Sequence, residues 1–368
     1  MIKILHVLTD TNIGGAGHQA AALLEGCSRK KFSLEAAVPR GSKLVPLLQK
    51  KSIPFAEVDF IGDRSLSLRG IFALRKLIKS KRPSIVHTHA SLSGRIAAKL
   101  CGKIKIVYTR HSIFAPKRGD DKFPRIQFAR LACLLFADGI IAVTPQVKDD
   151  LVRTGARAEK IRVIPNGTHK VAERSAEEKA ALRKKYDVPE GAFVAAVSAR
   201  LSEVKGHDDA LDAAKNLPGI LFLFAGEGER RAHIERRVAD ENILNIKLLG
   251  FVEAIDEIEN ITDVQVSASF GTEAASLSLL RGMSLGIPTV ASDFGGNPFV
   301  VENGINGLLY KTRDVPALTE ALLRVKNDAA LYDELSRGAR MISNEKFSAE
   351  KMIEATEGFY IELERGSA

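Results

Sequence analysis

Residues 193–206, "FVAAVSARLSEVKG", decide the fold. An apolar run from Phe193 to Ser198 reads as a strand. It ends in a polar turn carrying Arg200 and Lys205, and Gly206 then leads into a helical pattern. Downstream the same unit recurs, with strand-like runs at Ile220–Ala225, Asn245–Leu249, Val264–Ser267 and Pro288–Ala291. Upstream an equivalent series is complete before it starts, at Ile2–Val7, Glu35–Val38, Ile85–His87, Ile104–Tyr108, Gly139–Val143 and Ile161–Ile164. Strands alternating with helical stretches such as Gly70–Ser80 give parallel sheets, and a series that restarts gives two of them. The break falls near Pro165-Asn166-Gly167 and the charged segment Glu173–Lys185. The chain is therefore expected to be α/β, with two doubly wound, Rossmann-like parallel-sheet domains facing a central cleft. Their expected bounds are 1–168 and 169–345, with a final helix at 346–368 packing back toward the first domain.

Composition is consistent with that plan. The 368 residues are 45% hydrophobic, enough for two cores. The opening MIKILHVLTD is interrupted by His6, Thr9 and Asp10 and has no small-residue cleavage site after it, so a cytoplasmic protein without signal peptide or membrane span is expected. Cys27, Cys101 and Cys133 lack the paired spacing of a zinc or redox site and read as packing residues. A net charge of +9 favours anionic ligands without choosing among them. Basic residues are spread along the chain, no nucleic-acid reading module is recognisable and aromatics are 6%, so nucleic acid is not an expected partner.

Open α/β sheets bind ligands beyond the carboxyl ends of their strands, and the chemistry-bearing residues fall there. The first strand runs into Asn12-Ile13-Gly14-Gly15-Ala16-Gly17-His18, a turn whose amides could face an anion or could simply be tight. Later strands end in His87-Thr88-His89 and in Thr109-Arg110-His111-Ser112. His111 could donate to a ligand hydroxyl or serve a structural role, and no cysteine or carboxylate completes a zinc set around these histidines. In the second half, Arg200 and Lys205 stand where cations can neutralise a diphosphate. Gly226-Glu227-Gly228 would allow close backbone approach. Phe251 and Val252 could border a planar base, although a core phenylalanine is the simpler reading of Phe251 taken alone.

The order of these features resembles the retaining glycosyltransferases of the two-domain GT-B fold, in the large family marked by a glutamate pair. The features are the Gly14-Gly15 loop, His111, Arg200 and Lys205, Gly226-Glu227-Gly228, Gly250-Phe251-Val252, Glu273, Leu285–Val290 and Gly295-Gly296-Asn297-Pro298. The resemblance implies a nucleotide sugar, UDP- or GDP-linked, as donor, with no further cofactor and no metal. It places Arg200 and Lys205 on the diphosphate, the helix start at Ala275-Ser276 beside it, Phe251 and Val252 by the base, and Glu273 on the sugar hydroxyls. His111 and Gly14-Gly15 would close the site from the first domain. The catalytic set implied is His111, Glu273, Arg200 and Lys205, without an assigned covalent nucleophile. The acceptor would be a glycan or a lipid-linked molecule of cell-envelope biosynthesis.

Two positions depart from the family pattern. Eight residues after Glu273, where the second glutamate would accept from ribose hydroxyls, stands Arg281. It could reach a phosphate, pair with a nearby carboxylate, or mark an impaired site. Phe299 replaces a glutamate that commonly follows the Gly-Gly-x-Pro turn. A nucleotide-sugar epimerase and a binding protein impaired in transfer are therefore kept as alternatives. The stretch Lys117–Phe136 mixes basic and apolar residues. It reads either as a helix resting on the inner face of an anionic membrane or as a core-facing helix with a basic outer side.

Overall fold

The computed structural model describes residues 1–113, 131 and 135–366. The Lys117–Phe136 stretch lies almost wholly outside them, as does Cys133. The chain divides into two compact units, Met1–Thr168 together with residues from Ala349 onward, and His169–Ser348.

The first unit holds seven parallel strands: β1 (Ile2–Leu8), β2 (Phe32–Pro39), β3 (Phe55–Val58), β4 (Ile85–His89), β5 (Lys105–Arg110), β6 (Gly139–Ala142) and β7 (Ile161–Val163). Their order across the sheet is β3-β2-β1-β4-β5-β6-β7. The second holds β8 (Phe193–Ser198), β9 (Ile220–Ala225), β10 (Ile246–Gly250), β11 (Val264–Ser267), β12 (Thr289–Ser292) and β13 (Gly307–Tyr310), ordered β10-β9-β8-β11-β12-β13. All pairs are parallel. In each sheet the order reverses beside the first strand of the unit, between β1 and β4 and between β8 and β11. Two neighbouring strands there send their following helices to opposite faces, which opens a crevice at the carboxyl edge.

Two strands, β3 and β13, are absent from the sequence reading. Both are four-residue segments at a sheet edge; β3 is half exposed, and β13, though largely buried, is a short apolar run between turn residues. The charged segment after Thr168 forms the helix Ala176–Lys185, started by a capping box in which Ser175 and Glu178 satisfy each other's backbone amides. The final helix runs from Ala349 to Arg365, and Met352, Phe359, Tyr360 and Leu363 are buried in the core of the first unit with Ile4, Phe32 and Ile141. Residues 346–348 belong instead to the second unit, a three-residue shift from the expected boundary. The cause is packing: Phe347 is fully buried against Met283 and Val300 and meets Phe299 edge-on, ring centres 5.7 Å apart.

Candidate active site

At the carboxyl edge of the second sheet, separate loops are bonded into one floor. Leu201 N–H donates to Glu227 O (3.0 Å), Gly226 N–H to Gly250 O (2.8 Å) and Phe270 N–H to Val204 O (3.0 Å). Two glycines are required for this closeness. Gly206 has φ 70°, and a Cβ there would lie 2.0 Å from Ala268 O; Gly226 has φ 157°, and a Cβ there would lie 2.0 Å from Ala199 O. Any other residue would push the Arg200–Lys205 loop off its neighbours.

This floor carries Lys205 and Glu273 to each other across the β8–β11 reversal. Lys205 Nζ donates to Glu273 Oε2 at 2.8 Å and to Thr272 O at 3.2 Å, and Ser269 Oγ donates to the same carboxylate oxygen at 3.0 Å. Glu273 is 8% exposed and Ser269 is buried, so a charged pair sits in a largely desolvated place with its hydrogen bonds made. Ser269 O in turn accepts from Ser292 Oγ at 2.6 Å, which ties the loop after β11 to the end of β12. Sequence reading found Lys205 and Glu273 but missed Ser269, whose partnership depends on a turn that brings residues four apart face to face.

Arg200 is exposed at the end of β8, and its guanidinium has no hydrogen-bond or ion-pair partner among the described residues. The helix Leu277–Ser284 starts at Ser276 with no capping side chain and no acidic residue in its first turn. Ser276 Oγ and Ser278 Oγ are 2.9 Å apart, and Ser278 Oγ donates to Ser198 O at 2.9 Å, fixing that helix start against the end of β8. Ala275 is buried behind it. Phe251 is 71% exposed after β10, which corrects the core reading of this residue. Gly250 at φ 71° turns the chain outward, and Val252, the residue after Phe251, takes the inward position against Val194 and Leu223.

Arg281 does not point into solvent. Its Nε and Nη2 donate to Glu259 Oε1 and Oε2, both at 2.8 Å, a planar bidentate pair. Glu259 is 5% exposed, and burial pushes its carboxyl above the usual range while Arg281 pulls it down. Of the three possibilities set out for Arg281, the structure displays the carboxylate pair. The partner was missed because Glu259 ends a five-residue helix, Ile255–Glu259, 22 residues earlier in the chain. Phe299 packs into the apolar cluster with Phe347, so the position of the expected glutamate serves the core.

The carboxyl edge of the first sheet is built differently. Gly14 caps the helix Gly15–Gly26 with an extended backbone, no acidic residue follows in the first turn, and the space where a Cβ would stand has no atom within 4 Å. Gly15 is exposed beside it. His111, just beyond β5, joins a set of imidazoles. Its Nε2 lies 2.8 Å from His89 Nδ1, and His89 Nε2 lies 3.1 Å from His6 Nδ1. His87, expected to face a ligand at its strand end, is buried instead, with Nδ1 2.6 Å from Tyr360 Oη and Nε2 2.6 Å from Thr109 Oγ1. The register explains this: His6 and His87 are opposite one another on paired strands β1 and β4, so both face the packed side where Tyr360 sits. Burial lowers His6 to about 3 and His111 to about 4, and holds His87 and His89 well below the usual range. His6, His87 and His89 lie close enough to hold one metal ion, yet their ring nitrogens are already engaged with one another, Tyr360 and Thr109. No sequence signal led to Tyr360; His6 left one, a polar residue inside the apolar run of β1.

Two parallel Rossmann-like sheets, each with its polar residues at the order reversal, define the GT-B class. Residues 178–341 match the family described as "Glycosyl transferases group 1", and residues 13–170 match "Glycosyltransferase Family 4". The second unit thus matches the group 1 glycosyltransferases and the first a glycosyltransferase model of its own, and the two together have the GT-B fold. Among curated proteins it is 28% identical to the UDP-Gal:alpha-D-GlcNAc-diphosphoundecaprenol alpha-1,3-galactosyltransferase of Escherichia coli, over 98% of this chain and 97% of that one. Among solved structures it superposes on Anabaena HepE in complex with UDP and glucose with a TM-score of 0.84, at 21% identity over 98% of this chain and 99% of that one. It also superposes on a sucrose-phosphate synthase from Thermosynechococcus elongatus with a TM-score of 0.82, at 19% identity over the whole of both. No helix among the described residues is long and apolar enough to cross a membrane.

Proposed function

We propose that the protein transfers a glycosyl unit from a nucleotide sugar to a lipid-linked or glycan acceptor of the cell envelope, with retention of anomeric configuration and without a metal. The observation that carries this reading is the Lys205–Glu273–Ser269 cluster at the β8–β11 reversal, beside the unpartnered Arg200. In the reaction the bond from the sugar C1 to the diphosphate oxygen breaks and its electron pair leaves with the diphosphate. The acceptor hydroxyl oxygen bonds C1, and its proton passes to the departing diphosphate oxygen. Negative charge grows on the leaving group, so cations fixed in advance stabilise the transition state more than the ground state. Arg200, Lys205 and the helix start at Ala275-Ser276 fill that role. Glu273, held by Lys205 and Ser269, accepts from hydroxyls of the donor sugar.

Phe251 offers an exposed ring to the base, with Gly226 and Val252 shaping the backbone beside it. Gly14, Gly15 and His111 belong to the acceptor-side domain, and His111 donates to a substrate hydroxyl. The relative's printed activity, on UDP-Gal and a diphosphoundecaprenol acceptor, supports a UDP-linked donor and a lipid-linked acceptor, and with it a position at the inner face of the membrane. Arg281, the motive for a protein impaired in transfer, has a carboxylate partner in Glu259, which supports a structural part for it beside the proposed donor site. Incubation with a panel of UDP- and GDP-sugars tests the proposal by calorimetry and by product mass. Binding of at least one donor, and transfer from it to a polyprenyl-diphosphate glycan, is expected. No binding to any of them refutes the proposal, and interconversion of the donor without an acceptor identifies an epimerase.

A further inference from the structure

Four imidazoles of the first domain, those of His6, His87, His89 and His111, are joined end to end. From His111 the contacts run to His89, His6, Tyr360, His87 and Thr109 without a gap, at separations of 2.8, 3.1, 3.3, 2.6 and 2.6 Å. At one end, His111 Nδ1 is buried and has no partner among the described residues. His87, His89 and His111 also border a small cavity of about 20 Å³ shared with Gln19, whose Oε1 is likewise unpartnered. That space admits one group the size of a hydroxyl.

A neutral imidazole has one N–H and one lone pair, and a contact between two rings needs one proton and no more. All four rings are neutral at physiological pH, because burial opposes their charging. Every proton in the row is therefore tied to its neighbour. In one setting His111 donates through Nε2 to His89, and each ring passes the pattern on until His87 donates through Nε2 to Thr109. In the other Thr109 donates to His87 Nε2, and each ring donates through Nδ1, ending with an N–H on His111 Nδ1. Any mixture leaves two N–H groups or two lone pairs facing each other inside the protein, or the Tyr360 proton without an acceptor.

We infer that Thr109, His87, Tyr360, His6, His89 and His111 form one directional hydrogen-bond unit, in which Tyr360 on the carboxy-terminal helix, His6 and His89 are positioning residues that set the orientation and tautomer of His111. The unit decides whether His111 presents a donor or an acceptor to the hydroxyl it meets. A hydroxyl that gives its single proton to Gln19 Oε1 must accept from His111, and that selects Nδ1–H along the whole row. Its catalytic consequence rests on the role of His111 in the proposed transfer, whereas the coupling itself does not.

The test uses the full-length protein with 15N-labelled histidine, whose ring nitrogen shifts distinguish the two tautomers. In the unaltered protein His6, His87, His89 and His111 are expected to share one tautomer; a mixture of tautomers among them overturns the inference. In Tyr360→Phe, which removes one oxygen, the signals of His89 and His111 are expected to move although neither ring touches Tyr360. Shifts confined to His6 and His87 overturn it. In the transfer assay the same variant should lower kcat about tenfold with the donor KM unchanged, as loss of an outer partner of a working histidine does. Coupled shifts with an unaltered kcat leave the unit standing and remove His111 from the reaction; uncoupled shifts remove the unit whatever kcat does. The unaltered protein alone decides the first arm, should the variant not fold.

Discussion

The carboxyl edges of the two sheets occupy the same topological place and are made of opposite materials. The first gathers neutral imidazoles and a tyrosine in a buried row, and its order comes from shared protons. The second holds a full charge pair, Lys205 with Glu273, and its order comes from charge-assisted hydrogen bonds; a second such pair, Arg281 with Glu259, lies further along the same unit's helices. Neutral groups survive burial if each donor has an acceptor, whereas ions survive it only if paired. The difference matches the division of labour proposed here. A diphosphate needs fixed cations, and a substrate hydroxyl needs a partner of defined donor or acceptor character.

The largest test of this contrast removes a cation from the charged edge. Lys205→Ala is expected to lower kcat by about 10²–10³-fold, the usual loss when one fixed donor to a developing oxyanion disappears. Single-turnover kinetics with the identified donor would measure it. A change below threefold would leave the charge at this edge without a role in transfer.

Stability provides the second test. Arg281→Glu places a carboxylate against buried Glu259 and removes the guanidinium paired with it, so a loss of about 3–5 kcal/mol is expected in urea unfolding. Changing both residues to methionine should cost far less, because no buried charge is left unpaired. Equal losses in the single and double variants would show that the pair does not act as one.

Acid should separate the two units. His6 and His111 titrate near 3 and 4 when folded, against 6.5 when free, so the unfolded chain binds more protons between those values. Stability from these residues is complete above about 6.5 and falls as pH drops from there toward 4, by up to about 1.4 kcal/mol per pH unit for each histidine. His6, His87, His89 and His111 are lowered in the first unit, and His207 in the second, where burial brings it to about 4. Proteolysis in urea, mapped by mass at pH 7.5 and 5, is expected to show the first unit losing more stability than the second. Equal loss would contradict the neutral character of the row.

The smallest expected effect is at Phe251. Its ring is exposed, so Phe251→Ala should leave the unfolding curve unaltered while weakening nucleotide binding about three- to tenfold, the worth of one aromatic contact. Calorimetry with the free nucleotide would read it.

How much of this was visible beforehand follows from the range of each interaction. Phe193–Ser198 and Ile220–Ala225 were read to the residue, because a central strand writes its burial into consecutive apolar positions. Phe55–Val58 was missed because an edge strand is half exposed. Arg200 and Lys205 stood out as cations just past a strand end, and Glu273 through the family resemblance of the whole pattern. Glu259 did not, nor did Tyr360, since their partners stand 22 and 273 residues away. Nothing local in "EGFYIEL" at 357–363 distinguishes a tyrosine that bonds two histidines from one that merely packs.

The amino-acid sequence by itself determined that there are two parallel sheets, where each begins, and which loops carry charge, because periodicity and turn residues act over a few neighbours. Only the tertiary structure decided who pairs with whom. It turned Arg281 to Glu259, brought Lys205 to Glu273 and threaded Tyr360 among the histidines. Burial gives such polar groups their partners, and burial depends on strand order and helix docking, which no short stretch of chain encodes.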